Sequence, residues 1–144
     1  MLEADQLHRN LETASNRHKV LFEKFGQFAN SVKALVSNPQ FHIKGIGVSL
    51  NLDQGYFSTS FAGRTLHLRF ESTAGEHGSL VGKVTCYRQT DFPTQVISSI
   101  GDFQFKGTGE TNPLAPAENK TIFINDDLQG LHIVLNYIHE SLAV

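Results

Sequence analysis

Cys86 is the only cysteine in the chain, so no intramolecular disulfide can form and no thiolate cluster can hold a metal. No apolar run approaches the roughly 20 residues that a membrane-spanning helix needs. The opening residues include Glu3, Asp5, His8 and Arg9 and contain no apolar stretch of the secretory kind. A charge of one sign is missing too, since 12 Lys and Arg stand against 14 Asp and Glu, for a net charge of −2. Without a basic excess, binding driven by phosphate neutralisation is disfavoured, which argues against nucleic acid as a partner. These absences lead to the expectation of a cytoplasmic protein with no membrane partner. Asn119-Lys120-Thr121 fits the glycosylation triplet, which matters only in a secreted chain.

Signatures of catalysis and metal binding are also lacking. The seven histidines, at positions 8, 18, 42, 67, 77, 132 and 139, include no pair at H-x-H, H-x-x-H or H-x-x-x-H spacing. His132 and His139 would lie two helical turns apart, about 10 Å, which is too far for one ion. No metal and no other cofactor is expected. Gly107-Thr108-Gly109-Glu110-Thr111 has the glycines of a phosphate loop but lacks its Gly-Lys-Ser/Thr ending and the helix after it. His77-Gly78-Ser79 and Gly47-Val48-Ser49 each lack the second glycine of a nucleophile elbow. Whether the chain is an enzyme stays open, with the balance leaning against it.

What is present is periodicity. Across 1–37, which contains no proline, Ala4, Leu7, Leu11, Ala14, His18, Leu21, Phe25, Phe28, Val32 and Leu35 recur at alternating intervals of three and four. This is a heptad seam with one polar member, His18. From Leu21 onward Phe22, Ala29 and Val36 widen it into the stripe of a helix that covers a sheet. Before that point it is flanked by His8, Asn10, Ser15 and Arg17 and stays narrow, which suits a single partner helix. An unbroken helix over 4–35 would be about 48 Å long, against a diameter of roughly 37 Å for a compact domain of this size. It would overhang its own domain. The alternative is a break at Thr13-Ala14-Ser15-Asn16, with Ser or Asn capping a second helix. Asn38-Pro39 ends the helix in either case.

The region 40–125 reads as antiparallel strands separated by turns. The stretch 41–52 alternates but changes phase near Gly45, where a β-bulge is expected. Asp53-Gln54-Gly55 and Ala62-Gly63-Arg64 are tight turns around 56–61, which places Phe57, Thr59 and Phe61 on one face. In 65–72 the alternation is cleanest: Leu66, Leu68 and Phe70 point inward, and His67, Arg69 and Glu71 outward. Strand 80–89 puts Leu80, Val84 and Cys86 on one face and Val81, Lys83, Thr85 and Tyr87 on the other. Strand 95–106 should bend near Gly101, with Phe103 and Phe105 on one side. The stretch 107–119 is a loop, and 121–125 a candidate sixth strand. Asp126-Asp127 opens a last helix over 126–143, with Leu128, Leu131, Val134, Leu135, Ile138 and Leu142 as its buried stripe. The expected architecture is a single α+β domain over 1–144, in which the two helices pack on one face of an antiparallel five- to six-stranded meander.

Two functional readings follow. The first is a non-catalytic homodimeric protein-interaction or ligand-binding module, with Leu7, Leu11, Ala14 and His18 at the dimer interface and Ile133 and Tyr137 adding to it. The second is a small-molecule-binding protein or enzyme with a cavity between sheet and helices. There His67, Arg69 and Glu71, with Lys83, Thr85 and Tyr87 beside them, would supply a base, an anion clamp and a proton donor. Mixed charges on a strand's outer positions are also what simple solvation produces.

Overall fold

The computed structural model describes residues 2–41, 43–76, 78–111 and 121–143. Helix α1 (Ala4–Ser37) comes first. It is followed by strands β1 (Gly47–Asn51), β2 (Tyr56–Phe61), β3 (Arg64–Ala74), β4 (Leu80–Thr90) and β5 (Val96–Phe105), and then by helix α2 (Asp127–Leu142). The strands form one antiparallel sheet in chain order, β1-β2-β3-β4-β5. His42, His77 and the glycosylation triplet's Asn119 and Lys120 lie outside the described residues.

Helix α1 runs unbroken for 34 residues, so Thr13-Ala14-Ser15-Asn16 is a helical stretch and not a cap. It stops where the proline demands, with Asn38 in extended backbone ahead of Pro39. Only its second half is buried, through Leu21, Phe25, Phe28, Ala29, Val32 and Val36. These side chains meet Phe57, Leu66, Leu68, Phe70, Val84, Cys86, Phe103 and Phe105 from the sheet's inner face. Phenylalanine rings join the two layers directly: Phe25 to Phe57 at 5.7 Å, Phe28 to Phe57 at 5.3 Å and Phe25 to Phe70 at 5.4 Å between centroids.

The first strand is shorter than its alternation suggests. It begins at Gly47, and the phase change at Gly45 is a turn with φ +90, not a bulge. Phe41 and Ile43 ahead of it are left 39% and 38% exposed. The sheet's irregularity lies in β5 instead, where Cys86 pairs with Gly101 and Tyr87 with Ser99, leaving Ile100 as the extra residue. The expected bend near Gly101 therefore exists, and this is its cause. The β2–β3 turn places Ala62 and Gly63 at φ 51 and 76, the double left-handed geometry of a two-residue hairpin. Among the described residues, 121–125 contributes no sixth strand. Phe123 makes one isolated bridge to Glu110, and Ile124 is fully buried.

Helix α2 is rotated from the expected stripe. Leu128 and Leu142 are 56% and 41% exposed, whereas Ile133 and Tyr137 are buried. The helix answers to two neighbours at once. Gly130 lets it approach Phe28 of α1, since a Cβ there would stand 3.0 Å from that ring. On another side Tyr137 stacks on Phe103 at 6.4 Å, over the bend at Gly101. Asp126 caps the helix by accepting from the Gln129 amide at 3.0 Å, while the Gln129 side chain accepts from the Phe123 amide at 2.7 Å.

Candidate functional site

Three places bear on function: the outer face of the sheet, the projecting half of α1, and a cleft between them at one end of the sheet.

On the outer face the pairing register builds rows of side chains across the strands. Tyr56, Arg69, Thr85 and Asp102 form one row, and Ser49, Ser58, His67, Tyr87 and Ser99 the next. Glu71 lies opposite Lys83. Leu66, Leu68 and Phe70 are buried beneath, Arg69 and Glu71 are exposed, and His67 is half-buried. His67, Arg69 and Glu71 thus share a face, but it is the face turned away from both helices. The space between sheet and helices is filled by phenylalanine and aliphatic side chains, so these three residues cannot line a cavity there.

His67 belongs to a hydrogen-bond chain that the strand alternation alone did not reveal. Its Nδ1 is 2.6 Å from Ser58 Oγ, its Nε2 is 2.6 Å from Gln89 Oε1, and Gln89 Nε2 donates to Asp91 Oδ1 at 2.8 Å. The direction of the chain follows from its last member. An ionised carboxylate only accepts, so the Gln89 amide donates to it and turns its oxygen toward His67. His67 then donates from Nε2 and accepts at Nδ1, and the Ser58 hydroxyl donates to it. Tyr56 meets the imidazole edge-on at 5.7 Å between centroids. The result is a histidine held in one tautomer by polar neighbours on both sides. The signal available in sequence was the separate outward phase of Ser58, His67 and Gln89, which becomes a chain only once the register is known. Among the described residues no group of three or more His, Cys, Asp or Glu side chains could hold a metal ion.

The projecting half of α1 has no buried residue before Leu21. Leu7 is 43% and Leu11 70% exposed, and Ala14 is half-buried. His18 marks the point where the helix leaves the body. Its Nδ1 lies 2.6 Å from Ser72 Oγ, and its ring stacks on Phe22 at 6.3 Å and meets Phe70 at a tilt at 5.6 Å. The polar member of the seam therefore engages the end of β3 in its own chain. Ile133 and Tyr137 are likewise taken up by the chain's own core.

Beyond His18 a cleft of about 590 Å³ opens between Arg17 of α1, Gly75, Glu76, Ser79, Leu80 and Val81 around the β3–β4 connection, and Phe105, Lys106, Gly107, Glu110 and Thr111 at and after the end of β5. Leu80, Val81 and Phe105 are its apolar lining, and Arg17, Glu76, Lys106 and Glu110 form a charged rim. Lys106 and Glu110 form a 4.0 Å ion pair on that rim.

Compared with protein families, curated proteins and solved structures, the chain matches none. No helix among the described residues is long and apolar enough to cross a membrane.

Proposed function

We propose that the protein is a non-catalytic interaction module that works as a homodimer, joined through the first half of α1. The observation that carries this reading is the exposure of Leu7 and Leu11 on a helix that continues past its own domain. Isolated helical turns are marginal in water, because a helix in a protein is stabilised chiefly by packing an apolar face. A narrow seam of Leu7, Leu11 and Ala14 offers such a face to one more helix, and a symmetric copy is the commonest partner among soluble oligomers. Ile133 and Tyr137 play no part in this version, since they are committed to the core. A reducing, cytoplasmic setting agrees with the single, fully buried cysteine. The test is sedimentation at tens of micromolar. Wild type should run as a dimer and Leu7→Asp with Leu11→Asp as a folded monomer. A monomeric wild type would sink the proposal.

One observation favours a second reading, a hydrolytic or ligand-binding role: the hydrogen bond from Ser58 to a tautomer-locked His67. It is the weaker reading, because the third member is the neutral Gln89 amide, which stabilises an imidazolium less than a carboxylate does. Turnover of an activated ester by wild type and its loss in Ser58→Ala would promote it.

A further inference from the structure

We infer that the two copies pair antiparallel about a two-fold axis level with Arg9, so that Leu2 and Glu3 of each copy enter the cleft of the other. The inference rests on the dimer reading above and adds the orientation, the register and a second contact.

In heptad terms Ala4 and Leu11 are a positions, and Leu7 and Ala14 are d positions. Antiparallel helices pack a against d and bring g beside g, whereas parallel ones pack a on a, d on d, and g beside e. Only the seam ahead of His18 is available, because His18 is engaged by Ser72 and Leu21 is fully buried. Within that limit one antiparallel register fills every layer. Leu7 meets the partner's Leu11, Leu11 meets the partner's Leu7, and the Ala4 and Ala14 layers close the two ends. Leu7 and Leu11, 43% and 70% exposed, are thus placed against each other at the centre.

The same register sorts the charges. The g positions are Glu3, Asn10 and Arg17. Antiparallel pairing sets Glu3 beside the partner's Arg17 twice over and Asn10 beside the partner's Asn10. Parallel pairing would instead leave Arg17 beside the partner's Phe22 and give neither Glu3–Arg17 contact. Arg17 is also the residue through which α1 lines the 590 Å³ cleft. Bringing the partner's Glu3 to Arg17 therefore delivers the partner's Leu2, 45% exposed in the single chain, to the apolar lining that Leu80 and Val81 give the cleft. Helix seam and cleft become one continuous interface with one occupant.

Two experiments decide it. Leu7→Cys and Leu11→Cys proteins are oxidised separately and as a mixture, with native Cys86 kept, since that thiol is buried. The antiparallel register predicts a disulfide dimer mainly in the mixture, because Cα atoms must come within about 7 Å to be bridged. Strong cross-linking of each variant with itself would show parallel pairing and overturn the inference while leaving the dimer intact. In the second experiment Arg17→Glu should raise the dimer Kd about tenfold by setting like charges together at both ends, and adding Glu3→Arg should bring it back to within about threefold. A dimer that Glu3→Arg fails to restore overturns the register. A wild type that sediments as a monomer removes the parent reading as well.

Discussion

The far end of the Phe105 ring reaches over Gly82 of the neighbouring strand, so that a methyl group built on Gly82 would overlap the ring's Cζ and both its Cε atoms. Phe105 is almost fully buried and cannot swing aside without disturbing Phe70, whose ring stands 6.0 Å away. Gly82→Ala should therefore cost about 1–3 kcal/mol through overpacking. Gly26 is the contrast: it sits within α1, and a methyl there meets nothing within 4 Å. Gly26→Ala should raise stability by roughly 0.5–1 kcal/mol. Urea melts of the two variants should move in opposite directions.

Leu68 is fully buried while its neighbour Arg69 is exposed. Leu68→Ala should cost about 2–5 kcal/mol, and Arg69→Ala should stay within about 0.5 kcal/mol of wild type. Equal losses from the two would contradict the register of β3.

The Oγ1 of Thr59 is buried on the inner face of β2 with no hydrogen-bond partner among the described residues. A hydroxyl held this way bears its desolvation cost without return, so the nearly isosteric Thr59→Val should be neutral or stabilising by up to about 1–2 kcal/mol. A clear loss of stability in thermal melts would show that the hydroxyl has a partner.

Burial pushes the Cys86 thiol from 9.0 up to about 12, with the Glu140 carboxylate adding to the shift. Tyr137 is shifted upward as well, again chiefly by burial. Both groups are neutral in the fold and give up a proton more readily once unfolded. Their contribution to stability is complete below pH 9 and is lost as pH climbs toward 12. In Cys86→Ala the fall of stability with pH over that window should be shallower than in wild type. An unchanged slope would mean that the thiol titrates alike in both states.

At the start of α2 the Asp126 carboxylate caps the helix and Gln129 reaches back to the Phe123 amide. Asp126→Ala should cost about 0.5–2 kcal/mol and Asp126→Asn much less, because asparagine caps nearly as well. Circular dichroism through a melt measures both.

Much of this structure was legible in the residues. The order of elements, the inward phase of Leu66, Leu68 and Phe70, and the reach of α1 past the sheet all follow from local periodicity, which a strand or a helix imposes on its own sequence. Position 45 was misread because a left-handed glycine changes the phase of a pattern in a turn just as an inserted residue does in a strand. The stripe of α2 was misjudged for another reason. Periodicity reports how much of a helix is apolar but not how many neighbours share it, and Tyr137 goes to Phe103 while Gly130 goes to Phe28. The chain from Ser58 to Asp91 was not legible at all, since it depends on which residues three strands bring level.

The hydrogen bond from Ser31 to Asp127, 2.7 Å long and spanning 96 positions of the chain, also has a kinetic meaning. Each hairpin of the sheet closes a short loop, whereas docking α2 on α1 closes 96 positions of the 144-residue chain. By the logarithmic law for loop entropy, closing a loop of this length costs about 2 kcal/mol more than closing one tenfold shorter. The sheet can therefore assemble from neighbouring segments before the two ends of the chain meet. The clasp between the helices then belongs to the last steps of folding, and substitutions at Ser31 or Asp127 should speed unfolding while leaving the folding rate nearly unchanged.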